Sequence, residues 1–136
     1  MDNLYRDFIL EHYREPHNKG VLDPYDLHFA DSNPTCGDEM SMTLRLDEAK
    51  SAIADVAFDG RGCAISQASA SILTDELRGQ SVDEVKAIDP KHVLDALGVP
   101  IGPARLKCAL LSYKVLQGAV RGAEVAWPEE AEASLA

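Results

Sequence analysis

Apolar and polar side chains alternate through the centre of the chain. Apolar residues occupy every second position from Met40 to Leu46, and the positions between them carry Ser, Thr and Arg. A period of two places successive side chains on opposite faces of a strand, so this segment is predicted to be a strand with one buried face. Residues 52–58 fit an antiparallel partner, and a shorter strand is predicted near Leu27–Ala30, before a turn at Asp31–Pro34.

Before and after these predicted strands in the sequence, apolar residues recur at helical spacing. The predicted helices are Asn3–Arg14, a segment from Ile65 to Leu77, two short helices opened by Ser81 and by Asp89–Pro90, and a last helix from Pro103 to about Arg121. A helix, a small antiparallel sheet and then several helices packed against it indicate an α+β fold in one domain. We expect this domain to cover residues 1–121, with residues 122–136 forming an acidic C-terminal extension.

Length and charge narrow the classes of function. The chain has 136 residues and a formal net charge of -10, which fits one domain and disfavours binding to nucleic acid or to anionic membrane surfaces. No apolar run approaches the roughly 20 residues needed to cross a bilayer, and the N-terminal segment lacks the pattern of a secretory signal. We therefore expect a cytoplasmic protein with neither nucleic-acid nor membrane partners.

The three cysteines are the residues best suited to chemistry. Their odd number and wide separation argue against a disulfide framework and for thiols in a reducing compartment. Cys36 lies in a predicted glycine-containing turn, whereas Cys63 and Cys108 lie at predicted helix starts, where backbone N–H groups favour the thiolate form. The basic neighbours that add to this effect are Arg61, Arg105 and Lys107. We expect three nucleophilic thiols that are also good soft ligands.

Asp38 adds a carboxylate two residues after Cys36. Gly37 between them permits a tight turn from which both side chains reach one ion, so together with Cys63 and Cys108 they form a candidate Cys3Asp site. Zinc accepts thiolate and carboxylate ligands and thiolates also hold iron-sulfur clusters, so this donor set suits zinc, iron or a 2Fe-2S cluster. The spacing matches no short Cys-x-x-Cys motif, which leaves cysteines buried in an ordinary core as the alternative.

Four separated segments carry a family pattern. Three of them hold the cysteines, at Asn33–Asp38, Gly60–Ser71 and Pro103–Cys108, and the fourth is the N-terminal segment His12–Gly20. These segments closely resemble, in the same order, those of the NifU-like SufU/IscU family of iron-sulfur cluster assembly proteins, over about residues 4 to 120. The resemblance implies an α+β fold, cooperation with a cysteine desulfurase, and a site for zinc or a nascent cluster. The implied ligands are Cys36, Asp38, Cys63 and Cys108.

Residues near the third cysteine bear on the subtype within that family. Lys107 stands where IscU-type scaffolds carry histidine. It therefore resembles the SufU type, which is similar to a zinc-dependent sulfur acceptor for the desulfurase of the SUF pathway. The interval from Cys63 to Cys108 is, however, too short for the insertion that is usual in SufU-type proteins. Ile101–Arg105 replaces the chaperone-recognition segment of the IscU type, so recognition by a dedicated chaperone is not expected.

The resemblance leads to a hypothesis in which Cys36 accepts persulfide sulfur from a SufS-like cysteine desulfurase at the metal site. Downstream SUF assembly proteins or apoproteins would then receive it, and Arg61 and Lys107 are candidates for steering the persulfide or the partner. The alternative is a scaffold that builds a 2Fe-2S cluster on the same ligands and passes it to apoproteins. A structural zinc domain and a cysteine hydrolase or transferase with a Cys-His pair are two further hypotheses. Each histidine side chain is expected either to be exposed to solvent or to be hydrogen-bonded within the core. The four histidines are His12, His17, His28 and His92.

Overall fold

The computed structural model describes residues 2–34 and 37–127 and shows an α+β fold, as predicted. Within those residues the structure has a three-stranded antiparallel sheet and five α-helices, of which the second and the fifth pack against the strands. In chain order the elements are α1 (Asp2–Arg14), β1 (Leu27–Asn33), β2 (Asp38–Leu46), β3 (Ile53–Arg61), α2 (Ala64–Asp75), α3 (Val82–Lys86), α4 (Pro90–Leu97), a 3₁₀ turn (Pro103–Arg105) and α5 (Leu106–Arg121). No helix among these residues is long and apolar enough to cross a membrane.

The central strand, β2, pairs with β1 on one side and β3 on the other. The predicted alternation is confirmed for Met40, Met42 and Leu44, which are all buried in the core. Thr43, predicted to face water, is buried as well. The segment before β1 explains this, because the backbone N–H of Leu22 donates to Thr43 Oγ1 at 3.0 Å and that segment lies against this face of the strand.

Both outer strands run further than the sequence pattern predicts. β1 continues through Asp31–Asn33, where a turn is predicted, because Asn33 pairs with Asp38 across the sheet. β3 likewise continues to Arg61, which pairs with Glu39. Pairing with β2 outweighs the local preference of Asp, Ser and Asn for turns. The longer ladder brings the start of β2 and the end of β3 together, directly before α2 begins.

Small side chains allow α2 to pack closely against α5. Nine consecutive residues of α2, Ser66–Thr74, are buried. Ser69 Oγ donates to the carbonyl oxygen of Ala109 at 2.7 Å and lies 2.9 Å from Ser112 Oγ, so both buried hydroxyls have partners. This packing holds the first turn of α5 beside the N-terminus of α2.

The shorter helices begin where their capping residues predict. Ser81 Oγ accepts the backbone N–H of Glu84 at 3.0 Å and the Glu84 carboxylate accepts the N–H of Ser81 at 2.9 Å, which completes a capping box at α3. Asp89 Oδ1 accepts the N–H of His92 at 2.9 Å at the start of α4, and Gly98 ends that helix with a φ of 74°. The local signals and the tertiary structure therefore agree in this part of the chain.

Residues 122–127 lie against α5. The Trp127 ring centroid is 5.3 Å from Lys107 Nζ and 5.2 Å from Lys114 Nζ, distances typical of cation–π contacts. Glu124 Oε1 accepts a hydrogen bond from Lys114 Nζ at 3.2 Å. The first part of the predicted acidic extension thus packs on the domain, and residues 128–136 lie outside the described part of the chain.

Candidate metal centre

The structure brings three of the four predicted ligands together. Asp38, Cys63 and Cys108 each offer one ligand atom, and these atoms all lie within 4.8 Å of one another. They line an open cleft of about 520 Å³. The fourth predicted ligand, Cys36, lies outside the described residues, so its place in the site stays a prediction.

Each of the three side chains comes from the start of a different element. Asp38 is the first residue of β2, Cys63 is the N-cap of α2, and Cys108 lies in the first turn of α5. Cys63 is half-buried and Cys108 is buried, with only 4% of its surface exposed. The thiols are therefore held by secondary structure at the edge of the core, where a partner or a small reactant can still approach from the cleft.

Asp38 links the sheet to the start of α2. Its carboxylate is buried, with 2% of the residue exposed, and Oδ1 accepts the backbone N–H of Cys63 at 3.1 Å. Its second oxygen, Oδ2, lies 4.0 Å from Cys63 Sγ. One carboxylate oxygen therefore positions Cys63 while the other remains close enough to share an ion with its sulfur.

The predicted supporting residues take different positions. Arg61 and Arg105 line the cleft beside the thiols. Arg61 is highly exposed and its Nε lies 3.4 Å from Glu39 Oε2, a surface ion pair of small energetic weight. Lys107 is not among the residues that line the cleft, and its ammonium lies over the Trp127 ring instead. The steering role of Arg61 and Lys107 stays a prediction.

The donor set of the cleft fits zinc. Two sulfur atoms and one carboxylate oxygen would fill three positions of a tetrahedral ion, and Zn–S bonds of about 2.3 Å place two sulfurs about 3.8 Å apart. The ligand atoms lie within 4.8 Å of one another, so adjustments of about 1 Å or less complete the geometry. Carboxylate and thiolate ligands also suit iron, and thiolates hold iron-sulfur clusters. The donor set is therefore compatible with zinc, with iron or with a cluster.

None of the four histidines belongs to this cluster among the described residues. His92 Nε2 lies 2.6 Å from Glu76 Oε2, and the His28 ring lies 5.5 Å from that of Tyr25. His12 and His17 belong to a separate cluster with Asp75. A Cys-His pair of the hydrolase type is therefore absent at Cys63 and Cys108 in the part of the chain that the structure describes.

Comparison with known proteins identifies the family. Residues 4–124 match the family model described as the NifU-like N terminal domain, which is most of the chain. The chain belongs to this family. The predicted resemblance to SufU and IscU proteins is thereby confirmed, and iron-sulfur cluster assembly is the function class of the chain.

Individual relatives align with most of the chain. The zinc-dependent sulfurtransferase SufU of Bacillus subtilis (strain 168) is 38% identical over 88% of this chain and 91% of its own length. The iron-sulfur cluster assembly scaffold protein IscU of Streptococcus pyogenes serotype M1 is 36% identical over 89% of this chain and 85% of its own. A crystal structure of a putative iron-sulfur cluster assembly scaffold protein for the SUF system, from Fervidobacterium islandicum AW-1, superposes with a TM-score of 0.71 at 27% identity, covering 84% of this chain and 94% of that one.

Gly62 is a site residue that the sequence pattern did not single out. A Cβ atom on Gly62 would lie 2.5 Å from Ser66 Oγ and 2.6 Å from Asp38 Oδ1, so no larger residue fits between β3 and α2 without displacing the Asp38 carboxylate. The signal in the sequence was a glycine directly before a cysteine at a helix start. Its meaning depends on Asp38 lying opposite, which sequence alone does not reveal.

Changing Gly62 to alanine is expected to weaken zinc binding by about tenfold or more although every ligand remains, because the added methyl group pushes Asp38 away from Cys63. Losses of about 10–100-fold are typical when the groups that orient metal ligands are disturbed. Competition with a chromophoric chelator measures the affinity. Gly102→Ala is the control, since a Cβ there meets nothing within 4 Å. Equal affinities for the two variants would contradict the positioning role.

Proposed function

We propose that this protein is a zinc-dependent sulfur acceptor that takes persulfide sulfur from a cysteine desulfurase during iron-sulfur cluster assembly. The observation that carries the proposal is the meeting of Asp38, Cys63 and Cys108 within 4.8 Å in an open cleft. Membership of the family supports a role in iron-sulfur cluster assembly, and the similarity to a zinc-dependent sulfurtransferase supports the role of sulfur acceptor. Thiols that must stay reduced fit a cytoplasmic location.

Zinc, when bound, would keep its thiolate ligands deprotonated and fix their positions. The described residues that would hold it are Asp38, Cys63 and Cys108, and we propose Cys36 as the fourth ligand. Asp38 accepts a hydrogen bond from the backbone N–H of Cys63, and this bond keeps the half-buried thiol at the mouth of the cleft. Arg61 and Arg105 give the cleft wall positive charge, which favours the approach of an anionic persulfide.

We propose Cys36 as the residue that receives the sulfur. Its thiolate attacks the outer sulfur of the desulfurase persulfide, so a new S–S bond forms on Cys36 while the S–S bond on the desulfurase breaks. The desulfurase cysteine leaves as a thiolate, and the sulfane sulfur keeps its oxidation state through the exchange. No external oxidant or reductant is required for this step.

Lys107 favours the acceptor role over the scaffold role. An ammonium group has no lone pair to offer a metal ion, and Lys107 Nζ contacts the Trp127 ring. The residue before Cys108 therefore adds no nitrogen ligand to the site. The scaffold role, in which iron and sulfide are assembled as cargo on the same cysteines, remains the second candidate because of the similarity to a scaffold protein.

Removal of zinc tests the proposal. We expect the protein as purified to carry about one zinc bound through the cysteines and to stimulate a SufS-like desulfurase, and we expect stimulation to disappear after the metal is stripped with a chelator. Readdition of zinc restores it, because the thiolates again have a fixed geometry. Sulfide release under turnover and metal analysis of each sample are the measurements.

The scaffold role predicts a different pattern. Stimulation that survives stripping, together with stoichiometric iron and sulfide after anaerobic reconstitution, would replace the acceptor role by the scaffold role. A Cys36→Ala variant that still carries persulfide sulfur after reaction with the desulfurase would remove Cys36 as the acceptor while leaving the zinc requirement intact. Mass spectrometry of the alkylated protein locates the added sulfur.

A further inference from the structure

A second cluster of metal-ligating side chains lies outside the cysteine cleft. His12 comes from the last turn of α1, His17 from the loop that follows it, and Asp75 from the last residue of α2. One ligand atom from each of the three lies within 4.8 Å of the other two. The two imidazole rings are 4.5 Å apart, measured between their centroids.

Both imidazoles are oriented by oxygen atoms at their Nδ1 positions. His12 Nδ1 lies 2.7 Å from Ser71 Oγ, and His17 Nδ1 lies 2.6 Å from Asp75 Oδ2. Metal-bound histidines commonly donate one ring N–H to an oxygen, and at His12 such a bond to Ser71 would fix the ring and leave Nε2 for an ion. At His17, Nδ1 itself faces Asp75 Oδ2, so an ion would lie between these two atoms in place of the proton.

The surrounding contacts hold this arrangement in place. Ser71 Oγ also accepts the backbone N–H of His17 at 2.8 Å, so one buried hydroxyl positions both histidines. Asn18 Nδ2 donates to Asp75 Oδ1 at 3.0 Å and fixes the carboxylate. Asp75 Oδ1 can keep the hydrogen bond from Asn18 while Oδ2 binds an ion together with His17, because each carboxylate oxygen has lone pairs of its own.

We propose that His12, His17 and Asp75 form a second metal site that binds a divalent ion of the zinc class independently of the cysteine cleft. Two imidazoles and one carboxylate with open positions for water are a donor set used by zinc and related transition metals. The formal charge of -10 raises the local concentration of cations around the chain. The site differs from the cleft in having nitrogen and oxygen donors and no sulfur.

An ion at this site would join the N-terminal helix to the core. Among residues 6–14 of α1, Ile9 and His12 are the buried ones, so this part of the helix places few apolar side chains in the core. The ligands come from α1, from the next loop and from α2, so a bound ion closes α1 onto α2. Ligands that bind only the folded state stabilise the parts they connect. We expect backbone amides of α1 to exchange with deuterium more slowly when the second ion is bound.

Titration of the full-length chain with Zn²⁺ alone, in competition with a chromophoric chelator, tests the proposal. The wild-type protein is expected to bind two equivalents. In His17→Gln the affinity for the second equivalent is expected to fall at least tenfold while the first is retained, because that variant removes an exposed ligand and leaves the cysteines unchanged. Asp75→Asn is a second variant with the same expected loss.

His92→Gln is the matched control. His92 pairs with Glu76 at 2.6 Å, as His17 pairs with Asp75, and the side chains of His92 and His17 are 50% and 54% exposed. His92 and Glu76 belong to no group of three ligands among the described residues. The control is therefore expected to keep both equivalents. Loss of the second ion in His92→Gln as well as in His17→Gln would indicate a general effect of surface charge.

Co²⁺ distinguishes the two sites by their spectra. Cobalt in the cysteine cleft is expected to show a thiolate charge-transfer band, and cobalt bound as the second equivalent is expected to add d–d absorption without that band. Binding of a single equivalent that shows the thiolate band in the wild-type chain, or retention of the second equivalent by His17→Gln, would overturn the proposal. A failure of the cleft to bind metal would leave one equivalent without thiolate absorption, so the two proposals fail separately.

Discussion

Replacing Cys63 by serine is expected to lower the affinity of the cleft for zinc by more than about 100-fold and to abolish stimulation of the desulfurase. Disturbing groups that only orient ligands already costs about 10–100-fold, and this change removes a ligand. A serine hydroxyl keeps its proton near neutral pH and is a poor match for a soft site. Chelator competition gives the affinity, and sulfide release gives the stimulation.

Cys63 is the best position for this test because its surroundings tolerate the change. It is half-buried at the mouth of the cleft, and its backbone N–H bond to Asp38 does not depend on the sulfur. Ser112→Ala is the control, since it removes another small polar group, one turn beyond Cys108 in α5, that is not a ligand. Zinc affinity within a few-fold of the wild type in Cys63→Ser would show that the cleft is not the zinc site.

Local sequence signals predict the elements whose ends depend on neighbouring residues. The capping residues Ser81 and Asp89 start α3 and α4 as expected, because each cap acts within one turn of its own helix. β1 is different, since Asp31–Asn33 has the composition of a turn and still pairs with β2. Strand ends depend on which residues the rest of the sheet presents for pairing, and a single segment does not contain that information.

In the candidate site, too, some features follow from neighbouring residues and others depend on residues distant in sequence. Cys63 and Cys108 could be placed at helix starts from their own neighbours, and the family pattern predicted that they come together. The hydrogen bond from Cys63 to Asp38 and the tight space at Gly62 arise only where β2, β3 and α2 meet. The cluster of His12, His17 and Asp75 was not predicted, because its third ligand lies 58 positions away from His17 in sequence.

Changing Lys114 to methionine is expected to lower the free energy of unfolding by about 3 kcal/mol. Lys114 is buried, with 2% of its side chain exposed, and its ammonium hydrogen-bonds Asp31 of β1 and Glu124 of the C-terminal segment. Breaking a buried ion pair costs about 3–5 kcal/mol because the remaining charge loses its partner. The lower end applies here, since 19% of the Asp31 side chain stays exposed to water. Urea unfolding followed by circular dichroism measures the difference.

The pH dependence of this difference follows from the pKa of Lys114. Burial opposes the charged form, but hydrogen bonds to Asp31 and Glu124 outweigh it and raise the pKa of Lys114 above its ordinary value. A raised pKa stabilises the folded state fully below the unfolded value of about 10.4, and the stabilisation is lost as the pH rises through the folded value. The difference between wild type and Lys114→Met should therefore stay constant from about pH 7 to 9 and shrink only in strongly alkaline solution.

Lys91→Met separates burial from charge. Lys91 Nζ lies 2.8 Å from Asp95 Oδ2 on the surface of α4, with 78% of the lysine side chain exposed. An exposed pair four residues apart contributes about 0.3–0.5 kcal/mol, so this variant should unfold almost like the wild type. If both variants lose similar stability, the buried ammonium is not what ties β1 and residues 122–127 to α5. If only Lys114→Met is destabilised, the buried ammonium is what ties β1 and residues 122–127 to α5.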